Sequence, residues 1–403
     1  MFTFFGIRLN SFSFQEFYSS LPDSLKELLK REQHTQEALT ILFNEIDEKR
    51  EISLSGYIRL KSEITSSLIN KDKIIQAVEV HPEIEDVPFE KPVFIITLPR
   101  TGSTFLHLLM SKDKRWKAPA LWEMISSIPF PEEPTTETNE KTILNFDKSL
   151  KFRRYLVGSK EIMAAHGTTM KDPEELANLL KAEGIFVLIP KMLNLPKYSK
   201  FIEKIKFDDH IKIYKSIKRS LQAIAFQQNM KNRRFLLMHH LNSNVNLKAL
   251  FTVFKDAQFI TIHRNVEQVI SSITNLTIYD SKLFQSPLSR NVKFISDFLT
   301  EKYLKEVRKY DLRRSIEEIK NCSFQRAIDI NFKDLVQNPL EILREIYKQV
   351  NMEYNDECDE IFTKYLADSH KNKTSYKHIN DFLLDGERIR RECQSYSKKY
   401  KIY

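Results

Sequence analysis

Glycine is scarce in this sequence, with seven in 403 residues. A residue used so sparingly is not filler where it stands between hydroxyl residues after an apolar run. Gly102 does so in Pro99-Arg-Thr-Gly-Ser-Thr104. Cysteine is scarcer still. Cys322, Cys358 and Cys393 are an odd number, far apart and without a CxxC spacing, which excludes a disulfide framework or a cysteine zinc site and predicts a reducing compartment. No HExxH or clustered His/Asp pattern offers another metal site, so no metal is expected. No apolar run approaches the roughly 18 residues of a membrane helix. Phe94–Leu98 and Ile185–Pro190 have the length of buried strands or short core segments. The stretch Met1–Asn10 is apolar but lacks a basic start and a small-residue cleavage site. These absences predict a cytoplasmic chain without a transmembrane segment.

What is present is a soluble, basic composition. Hydrophobic residues make up 41% and charged residues 29%, with 63 Lys and Arg against 54 Asp and Glu, a net charge of +9. The basic residues are dispersed apart from short runs such as Lys398-Lys-Tyr-Lys401. That dispersal indicates a solvated basic surface suited to a small anionic ligand, and nucleic acid is not expected as a partner.

Residues 1–90 read as a helical segment packing on the core of the chain. Asp23–Lys49 carries Leu25, Leu28, Leu29, Leu39, Leu42 and Phe43 at helical spacing, and Ser55–Ile69 repeats the pattern. From Pro92 onward short apolar runs alternate with helical ones. Val93–Leu98 precedes Thr104–Met110, Phe235–Met238 precedes Val245–Phe254, Gln258–Ile262 precedes Val266–Asn275, and Ala327–Ile330 precedes Pro339–Val350. The alternation predicts an α/β fold over 91–403, a P-loop-like central parallel sheet flanked by helices. Within it, 136–230 reads as a largely helical insertion on the acceptor side, and 371–403 as a C-terminal segment.

A strand ending in Pro99-Arg-Thr-Gly-Ser-Thr104 and passing into a helix is an anion site by construction. The first helical N–H groups lack acceptors and lie at the positive end of the helix dipole. Gly102 allows close backbone approach, Ser103 and Thr104 add hydroxyls, and Arg100 adds a permanent cation. The Lys of a GxxxxGK[ST] loop is absent, which disfavours triphosphate hydrolysis, although a divergent P-loop kinase stays an alternative.

The surroundings resemble the soluble sulfotransferases that use 3'-phosphoadenosine 5'-phosphosulfate (PAPS) and carry a PRTGTT or PRTGST loop. The resemblance rests on His81-Pro-Glu-Ile84, Pro92-Val-Phe-Ile95, Leu108-Leu109, Trp116-Lys-Ala-Pro119 and Trp122-Glu123 around the loop. It is close over 56–135 and extends more loosely over about 50–400. It implies that Arg100, Thr101, Gly102, Ser103 and Thr104 hold the 5'-phosphosulfate. It also implies a 3'-phosphate site at Thr261-Ile-His-Arg264, with Ser272 two helical turns on. Phe254-Lys-Asp-Ala257 and Asp329-Ile-Asn-Phe-Lys-Asp-Leu-Val336 match two further elements of the family.

The reaction needs a base for the acceptor proton. Two candidates stay open, His166 ahead of Asp172-Pro-Glu-Glu175, and Glu123, while Arg100 would stabilise developing charge. His107 reads as a core residue. Lys373, in a basic and tyrosine-bearing C-terminal stretch, is a candidate nucleotide contact. One departure stands out. Where many relatives carry LKSPxH, this chain reads Leu236-Leu-Met-His-His240, so that His239 and His240 stand near the missing Lys and Pro. The expected activity is sulfuryl transfer from PAPS to a hydroxyl or amine acceptor; a nucleotide-binding pseudoenzyme is the alternative. The apolar run at 185–193 suggests a small lipidic or aromatic alcohol as acceptor.

Overall fold

The computed structural model describes residues 3–4, 7–8, 11–126, 140, 143–144, 148, 169–228, 233–241, 245–315, 327–371 and 384–402. A short antiparallel hairpin, β1 (Thr3–Phe4) and β2 (Ile7–Arg8), lies at the start. The centre is a five-stranded sheet of β3 (Val93–Ile95), β4 (Trp116–Lys117), β5 (Arg234–Met238), β6 (Gln258–His263) and β7 (Ala327–Asn331). Its order is β4-β5-β3-β6-β7, and every pairing is parallel.

The strands are mostly apolar because both faces of the sheet are covered, although β6 contains Gln258, Thr261 and His263 and β7 the exposed Asp329. Successive side chains point to opposite faces, and the core divides accordingly. Phe94, Leu237 and Phe259 join one apolar cluster, and Val93, Ile95, Leu236, Met238, Ile260 and Ile262 join the other. The first cluster also takes in Leu28, Leu29, Leu39, Phe43, Leu60 and Ile64 from the N-terminal helices. The second is closed by helices Pro339–Gln349 and Asp356–Lys371, through Leu343, Ile346 and Phe362.

The α/β architecture is the one the alternating pattern predicts, with adjusted element ends. The periodic stretch 23–49 is two helices, Asp23–Arg31 and Gln33–Lys49, interrupted at Glu32, whose φ of −94° and ψ of 65° are not helical. The next helix runs over Leu54–Val80, well past Ile69, and is capped by Ser53 Oγ, which accepts from the Gly56 N–H at 3.0 Å. The edge strand β4 was not foreseen. Two residues carry no periodicity; it is fixed instead by Trp116 Nε1, which donates to the Tyr347 hydroxyl at 2.9 Å.

In open parallel sheets, ligands bind beyond the carboxyl ends of the strands, where the strand order reverses. Here β3 is flanked by β5 and β6. The segments leaving β3, β5, β6 and β7 (residues 96–102, 239–241, 264–265 and Phe332) therefore converge.

Candidate functional site

The loop after β3 is shaped by two left-handed residues, Arg100 (φ 65°) and Gly102 (φ 90°). Gly102 meets its requirement without a Cβ, and one built there would lie 3.1 Å from the Phe332 ring. Arg100 does not, and a non-glycine residue held in this region costs roughly 1–3 kcal/mol, the kind of strain that concentrates at binding sites. Helix Ser103–Met110 starts directly after the turn, its N-terminal N–H groups facing the loop. Thr101 lies under the loop. Buried, its Oγ1 donates to the Leu98 carbonyl (2.9 Å) and lies 3.0 Å from Thr97 Oγ1. Its hydroxyl therefore fastens the turn from below.

The two sequence signatures meet at Arg100. Its Nε donates to Ser272 Oγ at 3.0 Å, and Arg264 Nη1 donates to the Arg100 carbonyl at 2.6 Å. The Arg264 guanidinium also stacks over Phe332 at 4.3 Å, so that one ring supports both Gly102 and Arg264. Burial, and then the Arg100 charge, hold the Arg264 guanidinium below its ordinary pKa. Two guanidiniums close enough to repel, over a helix N-terminus, fit a polyanion.

Beside them lies an arrangement no single motif announces. Ser103 Oγ is 2.9 Å from His240 Nε2, and the other ring nitrogen, Nδ1, pairs with the Glu175 carboxylate. Glu175 reaches this place because its backbone bridges to Met238 at the end of β5, Leu176 N–H donating to the Met238 carbonyl at 2.9 Å. Burial alone would raise the Glu175 carboxyl, but His240, helped by Lys191 and His239, outweighs it and holds the group at about 2. Next to it, burial and the Glu175 charge push the Glu174 carboxyl up to about 7. His239 points the other way. It is fully buried near Tyr214, and burial pushes it down to about 4. His107 is likewise a core residue, buried 3.2 Å from the Leu236 carbonyl.

These groups line one end of a cavity of about 450 Å³ that contains Arg100, Gly102, Ser103, Thr104, Glu174, Glu175, His240 and Arg264. The rest of the lining is mixed: Phe186, Ile189, Met192, Ile273, Leu276 and Phe284 are apolar, while Arg59, Glu63, Lys191 and Asp280 are charged.

Of the residues expected from the sequence, Arg100, Gly102, Ser103, Thr104, Arg264 and Ser272 are brought together around this end. Glu123, the other base candidate, is not among them. Its carboxylate accepts from Lys117 Nζ (2.6 and 2.8 Å), the Ala120 N–H (2.7 Å) and Gln228, which places it in a buried structural ion pair outside the cavity. His166 and Lys373 lie outside the described residues. The Glu175–His240 pair was missed although both segments had drawn notice, since the chain gives no sign that residues 65 apart in number would meet. Among the described residues no group of three or more His, Cys, Asp or Glu side chains is placed to hold a metal ion, and no helix is long and apolar enough to cross a membrane.

Comparison with known proteins gives the family and the fold. The sulfotransferase of omega-hydroxy-beta-dihydromenaquinone-9 from Mycobacterium tuberculosis is 23% identical over 297 residues, 72% of this chain and 70% of the relative; that of Mycobacterium bovis matches equally. Among solved structures, sulfotransferase STF9 of Mycobacterium avium superposes with a TM-score of 0.79 at 19% identity, covering 98% of this chain and 99% of that one. Sulfotransferase STF1 of M. tuberculosis gives 0.73 at 20% identity, with 94% and 98% covered. The sulfotransferase family model matches residues 92–356, which hold the anion loop, Glu175, His240, Arg264 and Ser272. The chain belongs to the sulfotransferase family.

Proposed function

We propose that the protein is an active sulfotransferase that moves a sulfuryl group from PAPS to the hydroxyl of an apolar acceptor. The observation that carries the reading is the join between an anion loop and a carboxylate-backed histidine through one hydrogen-bond contact, Ser103–His240–Glu175. Arg100, Gly102, Ser103 and Thr104 would hold the 5'-phosphosulfate, and Arg264 with Ser272 the 3'-phosphate. The fit is supported by the close guanidiniums of Arg100 and Arg264. When bound, PAPS supplies an electrophilic sulfur on a phosphate leaving group: its S–O bond to that phosphate breaks as one to the acceptor oxygen forms.

The chain's own residues do the rest. His240 Nε2 takes the acceptor proton, and the Glu175 carboxylate orients the ring and stabilises the imidazolium. Arg100 and the N–H groups of helix Ser103–Met110 face the charge that develops on the leaving oxygen. The apolar walls exclude water, which would otherwise compete as acceptor. A lipidic or aromatic alcohol suits those walls, in keeping with relatives named for a hydroxylated menaquinone.

Met238, where many relatives have Lys, is the observation that favours a pseudoenzyme. Transfer of radiolabelled sulfate from PAPS to a panel of apolar alcohols separates the two. Turnover that falls about 10²–10⁴-fold in His240→Ala supports the proposed base. Tight nucleotide binding with no transfer to any alcohol would favour the pseudoenzyme. Full activity in His240→Ala with loss in Glu174→Gln would move the base to Glu174.

A further inference from the structure

The C-terminal segment, residues 385–402, reaches the nucleotide end of the sheet, and the transfer chemistry does not use it. It consists of two short helices, Gly386–Glu392 and Gln394–Lys399, with Ile389, Cys393, Tyr396 and Ile402 buried in the first apolar cluster. Its polar contacts fall on the residues from which the candidate 3'-phosphate site is built. His263 ends β6 and directly precedes Arg264. Its buried ring is held at both nitrogens, Nδ1 lying 2.7 Å from the Tyr396 hydroxyl and Nε2 2.9 Å from the Asp329 carboxylate. Tyr400 stacks on the ring, with centroids 3.6 Å apart. Asn331 is the register partner of His263 on β7 and directly precedes Phe332. Its Nδ2 donates to the Lys401 carbonyl at 3.3 Å. A third contact, 2.6 Å from Arg390 Nη1 to Glu267 Oε2, ties the segment to the first turn of helix Val266–Ser281.

Arg264 and Phe332, whose side chains stack, therefore each leave the sheet from a residue that the C-terminal segment grips. An imidazole bonded at both nitrogens and covered by a tyrosine ring has little freedom to turn, and it fixes the chain just before Arg264. Just after it, Asn265 caps the helix, its Oδ1 accepting from the Gln268 N–H at 3.1 Å. A guanidinium between two anchored residues is preorganised for one position of an anion, and less ordering has to be done when the anion binds.

We propose that the C-terminal segment is a clamp for the 3'-phosphate site. Tyr396 acting through His263, and the Lys401 carbonyl acting through Asn331, hold Arg264 and Phe332 in the binding geometry. The proposal rests on the sulfotransferase reading for the identity of the ligand. It makes His263, Asn331 and Tyr396 positioning residues, which act through Arg264 and need no contact with the nucleotide. Such coupling is reciprocal: the factor by which docking of the segment raises affinity for the 3'-phosphate is the factor by which the 3'-phosphate favours docking. A segment that served stability alone would show neither effect.

The test joins two measurements on the full chain. Amide hydrogen exchange of the wild type is followed over 386–402, alone and with saturating 3'-phosphoadenosine 5'-phosphate or adenosine 5'-monophosphate. The 3'-phosphorylated nucleotide should slow exchange there about fivefold or more, and the monophosphate should leave it unchanged. Titration calorimetry then compares both nucleotides in the wild type, Tyr396→Phe and Asn331→Ser, the serine keeping an oxygen to cap the helix after β7. Each substitution should cut the preference for the 3'-phosphate by about fivefold or more while affinity for the monophosphate holds. Exchange that the bound 3'-phosphorylated nucleotide leaves unchanged, or that both nucleotides slow equally, would overturn the proposal, as would a preference that survives both substitutions. Should a variant fail to fold, the wild-type exchange decides alone. A wild type that binds the two nucleotides equally would count against the sulfotransferase reading itself and take the clamp with it, whereas an intact preference without coupling sinks the clamp only.

Discussion

Single residues carry the site, and Arg264 illustrates how. It donates to the Arg100 carbonyl, stacks on Phe332 and faces the anion loop. Arg264→Ala is expected to weaken binding of 3'-phosphoadenosine 5'-phosphate by about tenfold to a hundredfold, the value of a charge-assisted hydrogen bond or two. Titration calorimetry reads this directly, and unchanged affinity would place the 3'-phosphate elsewhere. Lys191 makes a second prediction, about stability and pH. Burial, and then the nearby Lys302 charge, push its ammonium from 10.5 down to about 7, against the opposing Glu175 and Asp280. The unfolded chain then holds more protons than the folded one between those values, so this group's penalty is complete below pH 7 and fades as the pH rises towards 10.5. Lys191→Met should therefore raise Tm at neutral pH and below, and the gain should shrink on the way to alkaline pH. Scanning calorimetry at several pH values checks it; a Tm that falls would show that Lys191 has a stabilising partner.

Among elements, the turn after β3 and the start of the segment after β7 act as a unit. Gly102, at φ 90°, is covered by Phe332, with Leu335 close behind. Gly102→Ala is expected to cost about 1–3 kcal/mol in strain, and to weaken nucleotide binding by moving Phe332 from under Arg264. Urea unfolding and titration together test it, and loss of stability without loss of affinity would separate the two roles. This level is also where the sequence was most legible. The strands at 93, 235, 258 and 327 announce themselves because covered sheet faces call for runs of apolar residues, even with Thr261 and Asp329 among them. The anion loop is visible because its chemistry is local, in Arg100, Gly102 and Ser103. Glu175 and His240 were hidden because their meeting depends on the backbone bridge from Glu175 to Met238, which has no local signal. The surroundings of Glu123 were hidden for a related reason. Alone, a glutamate after the loop helix looks free, but the fold supplies Lys117, the Ala120 N–H and Gln228 to occupy it.

At the scale of the whole molecule, the N-terminal helices are bound into the cavity wall. Lys71 Nζ is 2.8 Å from both Glu32 and Glu183, and Ser216 Oγ donates to Glu183 at 2.6 Å. One buried ammonium thus joins two N-terminal helices to the segment that carries Ile185–Met192. Gly184, at φ 74°, lies against Ala38 and completes the contact. Lys71→Ala leaves Glu183 buried without its cation and should cost about 3–5 kcal/mol. Urea unfolding followed by circular dichroism and by Trp116 and Trp122 fluorescence should show it, with both probes moving together in the wild type as a shared core requires. The proposed function makes this a molecule built around a ligand charged at both ends of its nucleotide. The most direct measurement is the affinity of the full chain for 3'-phosphoadenosine 5'-phosphate against adenosine 5'-monophosphate. Binding at least about tenfold tighter with the 3'-phosphate present is the predicted result. Equal affinity for the two, or preference for magnesium-bound ATP, would contradict it.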